Sequence, residues 1–176
     1  KAAGVARFVQ VSTVGVYGNS NRVLTEAEPE APDSVYHRTK CAADRELTEF
    51  ARGSGLEAVI VRPPITVGPG NLKTHLLKMA KLAARDRFPT FGSSLAQRLP
   101  LVEVEDVADA LELAARVSPP GEVYLVSSGE PYSFGEILAA MARFSGATTG
   151  TLAIPGFVGT LGALAFEALA AVTGVA

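Results

Sequence analysis

The sequence is short of the residues that build cross-links and metal centres. Its single cysteine, Cys41, has no partner for a disulfide and excludes a multi-cysteine metal site. With only His37 and His75, a zinc site would have to recruit carboxylates, and no spacing suggests one. That usage fits a reducing compartment, so a cytoplasmic location is expected. An excess of one charge is also missing, since 16 Lys+Arg stand against 18 Asp+Glu for a net charge of −2. A dedicated nucleic-acid binder needs a basic surface, so no nucleic-acid partner is expected. Internal repeats and low-complexity tracts are absent. Long apolar runs are missing until residues 151–176, where Glu167 is the sole charge. A spanning helix needs about 20 predominantly apolar residues, and Gly156, Gly159, Gly162 and Glu167 argue against one here. The segment reads instead as a packed helix or one docked on a membrane surface.

What is present is an ordinary globular composition, 48% hydrophobic and 19% charged over 176 residues, enough for one α/β core. Strand and helix signals alternate. Residues 7–12 (RFVQVS) read as a buried strand, and residues 18–33, rich in Asn, Glu and Pro, as a loop. Residues 34–52 are expected to be helical, with Asp33 or Ser34 as N-cap and Gly53 and Gly55 as the stop. A second buried strand, residues 57–61 (EAVIV), ends at Pro63-Pro64. Helices follow at 71–85, carrying Lys73, Lys78, Lys81 and Arg85, and at 106–117, with Asp106 as N-cap. Residues 122–126 (EVYLV) form a third strand, and Ser133 with Glu136 fits a capping box opening a helix to about Phe144. Near-continuous apolar strands alternating with helices indicate a parallel sheet covered by helices.

The chemistry gathers in one stretch. Tyr36-His-Arg-Thr-Lys40 places a phenol and an ammonium at i and i+4 on one helix face. Upstream, residues 11–18 (VSTVGVYG) put two hydroxyls, Ser12 and Thr13, at the carboxyl end of a strand. Ligands bind at that edge in open parallel sheets. Downstream, residues 61–70 (VRPPITVGPG) deliver a rigid loop to the same edge. Standing alone, Tyr36 and Lys40 would read as a surface pair. Ser12 reads as a strand-end hydroxyl satisfying backbone, Tyr17 and Cys41 as packing residues, and the basic helix as a solvated face. His37 lies about 100° around the helix from Tyr36 and reads as non-catalytic.

Together with residues 102–108 (VEVEDVA), these segments resemble, in order, the extended short-chain dehydrogenase/reductase family of nucleotide-sugar epimerases, dehydratases and 3β-hydroxysteroid dehydrogenase-like enzymes. The resemblance covers most of residues 1–145. It implies an α/β fold, the carboxyl-terminal part of a doubly wound, Rossmann-like parallel sheet with a small substrate-binding portion. Residues 1–150 would form that region, and residues 151–176 an apolar terminal strand and helix. It further implies NAD or NADP as cofactor. Thr13 matches the hydroxyl that binds the substrate oxygen, and Tyr36 the acid/base. Lys40 matches the lysine that binds the nicotinamide ribose and favours the phenolate, and Pro63, Ile65 and Thr66 match the loop at the nicotinamide ring. The implied reaction oxidises a secondary alcohol, in a nucleotide sugar or a steroid-like, hydrophobic molecule. A homodimer is implied as well.

One departure is large. The family's Gly-rich phosphate loop sits in the first βα turn, and nothing before Arg7 supplies it. The chain starts at Lys1, as if a helix end ran into a strand, so a fragment lacking about a hundred residues is expected. Gly156, Gly159 and Gly162 mimic a phosphate loop but lie at the wrong end of the chain and read as packing glycines. The competing expectation is a truncated, non-catalytic module kept for binding or dimerisation.

Overall fold

A computed structural model describes residues 4–20, 22–70, 75–91, 94–148, 150–155 and 157. In chain order its elements are β1 (Arg7–Val11), α1 (Val35–Ser54), β2 (Glu57–Arg62), β3 (Ile65–Val67), α2 (His75–Ala83), β4 (Phe88–Phe91), β5 (Arg98–Leu99), β6 (Leu101–Glu103), α3 (Val104–Arg116), β7 (Val123–Leu125), β8 (Tyr132–Ser133), α4 (Phe134–Ser145) and β9 (Thr151–Ile154). They fall into two compact units, residues 1–69 with 100–130, and residues 70–99 with 131–176. The boundary expected at residue 150 does not follow this division, because β9 pairs with β4 inside the second unit.

The first unit holds a parallel sheet in the order β1-β2-β7. Arg7 to Val11 lie beside Glu57 to Val61, and Ile60 to Arg62 beside Val123 to Leu125. The central strand is buried along nearly its whole length, which explains its unbroken apolar run. Its side chains alternate between faces. Val59 and Val61 pack with Ala114 of α3, while Arg62 reaches Asp44 of α1. The expectation of a buried first strand needs correction: Phe8 and Val11 are 46% and 42% exposed. The reason is position, since among the described residues β1 pairs with β2 alone. β3 and β6 form a separate parallel pair.

The helix limits follow from their caps. The Ser34 hydroxyl accepts the N–H of His37 at 3.1 Å, and Gly55, at φ 70°, ends α1 with its N–H on the Ala51 carbonyl. Gly53 lies inside that helix rather than stopping it. α3 starts earlier than expected, directly from β6, with Glu103 as N-cap; Asp106 therefore sits in the first turn, where its charge suits the helix dipole.

In the second unit β4 and β9 run parallel, β5 and β8 antiparallel, and α2 packs on α4, whose Leu138 is fully buried. Ser133 and Glu136 form the expected capping box at the start of α4. The Phe88 and Phe134 rings meet edge to face at 5.5 Å. Asp86 takes the left-handed conformation, φ 53°, so that its carboxylate accepts the N–H groups of Thr148 and Gly150. Lys73, Gly156 and residues 158–176 lie outside the described residues, and with them the expected membrane-surface helix and all three of its glycines. No helix among the described residues is long and apolar enough to cross a membrane.

Candidate active site

All six residues singled out from the sequence belong to the first unit, at the carboxyl end of its sheet or just beyond. Two backbone bonds fasten the strand ends together: Ser12 N–H to the Val61 carbonyl at 2.8 Å, and Val14 N–H to the Pro63 carbonyl at 3.1 Å. Thr13 lies between them. Its extended backbone caps a short helical turn over Val14–Tyr17, and its hydroxyl oxygen accepts the Gly15 N–H at 3.2 Å. A threonine oxygen used as acceptor keeps its O–H proton for another partner.

Tyr36 and Lys40 stand one turn apart at the start of α1. The Lys40 ammonium donates to the Val11 carbonyl at 2.9 Å, which pins the helix to the end of β1, and lies 6.0 Å from the Tyr36 ring centroid. The Tyr36 side chain is 56% exposed, so its phenol is open to a ligand. The structure thus joins Thr13, Lys40 and Pro63 through the ends of β1 and β2, with Tyr36 beside Lys40. Ile65 and Thr66 continue from Pro63-Pro64 into β3, where they pair with Leu101 and Val102.

Behind this surface lies a polar network that sequence reasoning missed. Arg62, the last residue of β2, is 5% exposed. Its Nε and Nη2 donate to Asp44 Oδ2 at 3.2 and 2.9 Å, Nη2 also to Glu30 Oε1 at 2.7 Å, and Nη1 to the Tyr17 hydroxyl at 2.7 Å. Ser12 adds its hydroxyl to the same Asp44 oxygen at 2.7 Å, so its partner is a carboxylate rather than the expected backbone. Tyr17 packs as expected in the cluster with Val16 and Cys41, and also presents its ring to Arg62 at 5.0 Å. Glu30 receives Arg45 as well.

The network ties β1, the Val14–Tyr17 turn, the following loop, α1 and β2 to a single guanidinium. Burial works against charge on Arg62, but bonds to Tyr17 and Asp44 more than offset it and raise its pKa. Burial likewise opposes charge on Glu30, while Arg45 and Arg62 outweigh it and hold the carboxyl below its ordinary value. Burial, then the neighbouring Glu30, pushes the Cys41 thiol up, as befits a packed residue. The readable signals were a lone Arg closing an apolar strand, and Asp44 three positions after Cys41 on the inward helix face.

His37 also does more than point away from Tyr36. Its Nδ1 lies 2.6 Å from Asp33 Oδ1, its ring centroid is 5.6 Å from that of Tyr36, and its other edge packs on Gly15. The hydrogen bond from His37 lowers the Asp33 pKa.

A parallel sheet with helices on both sides of its central strand, and an i, i+4 Tyr–Lys pair at its carboxyl end, defines a Rossmann-like α/β protein. Residues 1–127 match the NAD dependent epimerase/dehydratase family, and the chain belongs to it. The chain is 29% identical over 157 residues to a UDP-glucose 4-epimerase of Vibrio cholerae, covering 87% of this chain and 48% of that protein. It is 30% identical over 152 residues to a dTDP-glucose 4,6-dehydratase of Streptomyces griseus, covering 85% and 46%. The chain therefore spans about half the length of these relatives. Among solved structures, RMD from Pseudomonas aeruginosa complexed with NADPH superposes with a TM-score of 0.77 at 22% identity, over 88% of this chain and 56% of that one. The Thermus thermophilus UDP-glucose 4-epimerase complex with NAD gives 0.73 at 24%, over 88% and 53%. Both likenesses bear on the fold.

Proposed function

We propose that this chain carries the catalytic residues of an NAD- or NADP-dependent enzyme that oxidises a secondary alcohol of a nucleotide sugar, as an epimerase, dehydratase or dehydrogenase. The observation that carries the reading is the arrangement of Lys40 on the Val11 carbonyl with the exposed Tyr36 phenol alongside. Support comes from the relatives, whose names pair this family with UDP- and dTDP-glucose. That favours a nucleotide sugar over the steroid-like alternative.

The residues present fit the nicotinamide end of such a cofactor. Lys40 spends one of its three N–H donors on Val11 and keeps others for ribose hydroxyls. When bound, the cofactor supplies the hydride acceptor. Thr13 donates its hydroxyl proton to the substrate oxygen and orients it. Tyr36 takes up the proton of that alcohol as general base. Pro63, Ile65 and Thr66 border the nicotinamide ring. The exposed Val35 and Phe50 of α1 support a homodimer formed on that helix.

The test offers the intact protein NAD and NADP with a panel of UDP- and dTDP-hexoses and of hydrophobic secondary alcohols, and follows the near-ultraviolet absorbance of the reduced cofactor together with product sugars. Turnover of a nucleotide sugar is expected. Turnover of the hydrophobic alcohols alone would overturn the substrate class, and cofactor-independent binding without turnover would favour a non-catalytic module.

A further inference from the structure

We infer that His37 and Gly15 form a spacer that sets the Thr13 hydroxyl relative to the Tyr36 phenol, making His37 a positioning residue for the proposed reaction. The inference rests on the site reading above and adds a residue to it.

Three observations converge. A Cβ built on Gly15 would fall far inside van der Waals contact of the His37 Nε2, Cδ2 and Cε1 atoms, so the ring lies flush on the Gly15 backbone and a side chain there forces the ring or the turn to shift. The ring is held in place from outside. Its Nδ1 lies 2.6 Å from Asp33 Oδ1, and the other Asp33 oxygen accepts the Asn19 side-chain amide at 2.8 Å. Asn19 itself follows the turn that contains Gly15. Finally, Gly15 N–H is the donor that holds the Thr13 hydroxyl oxygen, while His37 is the chain neighbour of Tyr36.

One imidazole therefore separates the turn bearing Thr13 from the helix bearing Tyr36. Its thickness, anchored by Asp33 and Asn19, fixes that spacing. The pairing is complementary, since the smallest side chain meets a ring where a larger residue would displace either the ring from Asp33 or the turn from the helix. Misplacing a reacting group by about 1 Å can cost roughly 10²-fold in rate, so such a spacer acts on turnover more than on binding.

The test is a double-mutant cycle in the intact protein with a turned-over nucleotide sugar, using His37→Ala, Gly15→Ala and the double variant. His37→Ala is expected to lower kcat about tenfold with KM near the parent's. Gly15→Ala is expected to lower kcat by up to about 10²-fold, whereas in the His37→Ala background it has room and changes kcat by less than about twofold. Should Gly15→Ala alone fail to fold, the comparison of the double variant with His37→Ala still decides. A readout without turnover is the methyl resonance of Thr13 in methyl-labelled protein, which should shift in His37→Ala.

Parent-like kcat and an unmoved Thr13 signal in His37→Ala would overturn the inference, as would losses that multiply in the double variant. Tyr36→Phe separates the two levels: if it abolishes turnover while His37→Ala does not lower it, only the spacer fails. If Tyr36→Phe retains turnover, the site reading itself fails.

Discussion

Truncating Asp44 to alanine removes the shared acceptor of the buried network and should be among the most damaging single changes in this chain. The Asp44 and Arg62 side chains are 2% and 6% exposed, so water cannot replace what is lost. Asp44 Oδ2 serves three donors: the Ser12 hydroxyl and two nitrogens of Arg62. Removing one partner of a buried ion pair costs about 3–5 kcal/mol, because a desolvated charge remains. Arg62 would keep Glu30 and Tyr17, which points to the lower end, about 3 kcal/mol. At roughly 2–4 °C per kcal/mol for a chain of this size, Tm should fall by about 6–12 °C. The assay is urea unfolding at neutral pH followed by circular dichroism, with a thermal melt alongside. Asp44→Leu combined with Arg62→Met removes both charges and should recover most of the loss, since apolar replacements of buried pairs are often neutral. A loss below about 1 kcal/mol for Asp44→Ala, or a double variant no better than the single, would refute the reasoning.

Three further outcomes follow from the same contacts. Glu30 has a lowered folded pKa, so its contribution is present above the unfolded value near ~4.3 and disappears as pH falls through the folded one. Glu30→Gln should therefore lower the urea midpoint at neutral pH and flatten its fall below about pH 4.5. Cys41 is 3% exposed with a raised pKa, so its neutral thiol is favoured up to the unfolded value near ~8.5 and this advantage fades as pH rises further. A thiol–disulfide reagent at neutral pH should label native protein far more slowly than unfolded protein, and equal rates would contradict the burial. Ser133→Ala removes the cap that accepts Glu136 N–H at 3.2 Å and should cost about 1 kcal/mol in urea unfolding.

Much of the architecture could be read from local chemistry. Ser34 and Gly55 mark the ends of α1 because capping depends on one side chain and one backbone conformation. The unbroken apolar run of β2 announces a strand covered on both faces. The start of α3 is ambiguous in the sequence because Asp106 is as good in a first turn as at a cap, and only the pairing of β6 with β3 decides between them. The candidate trio stands out in the sequence because Tyr36 and Lys40 share a helix face and Thr13 follows a strand end. Its supports do not. Asp44 and Arg62 are 18 residues apart, and only the docking of α1 on β2 brings them to 2.9 Å. The angle of His37 around the helix carries it away from Tyr36 and turns its ring toward Gly15. Periodicity says which way a residue faces and not what waits there.

The most direct test of the central claim is turnover by Tyr36→Phe in the intact protein. The substitution removes one hydroxyl from a side chain that is 56% exposed, so the fold should be undisturbed and cofactor affinity largely retained. The account predicts a fall in kcat of about 10²-fold or more with little change in melting temperature. Unchanged kcat in a folded Tyr36→Phe protein would contradict it.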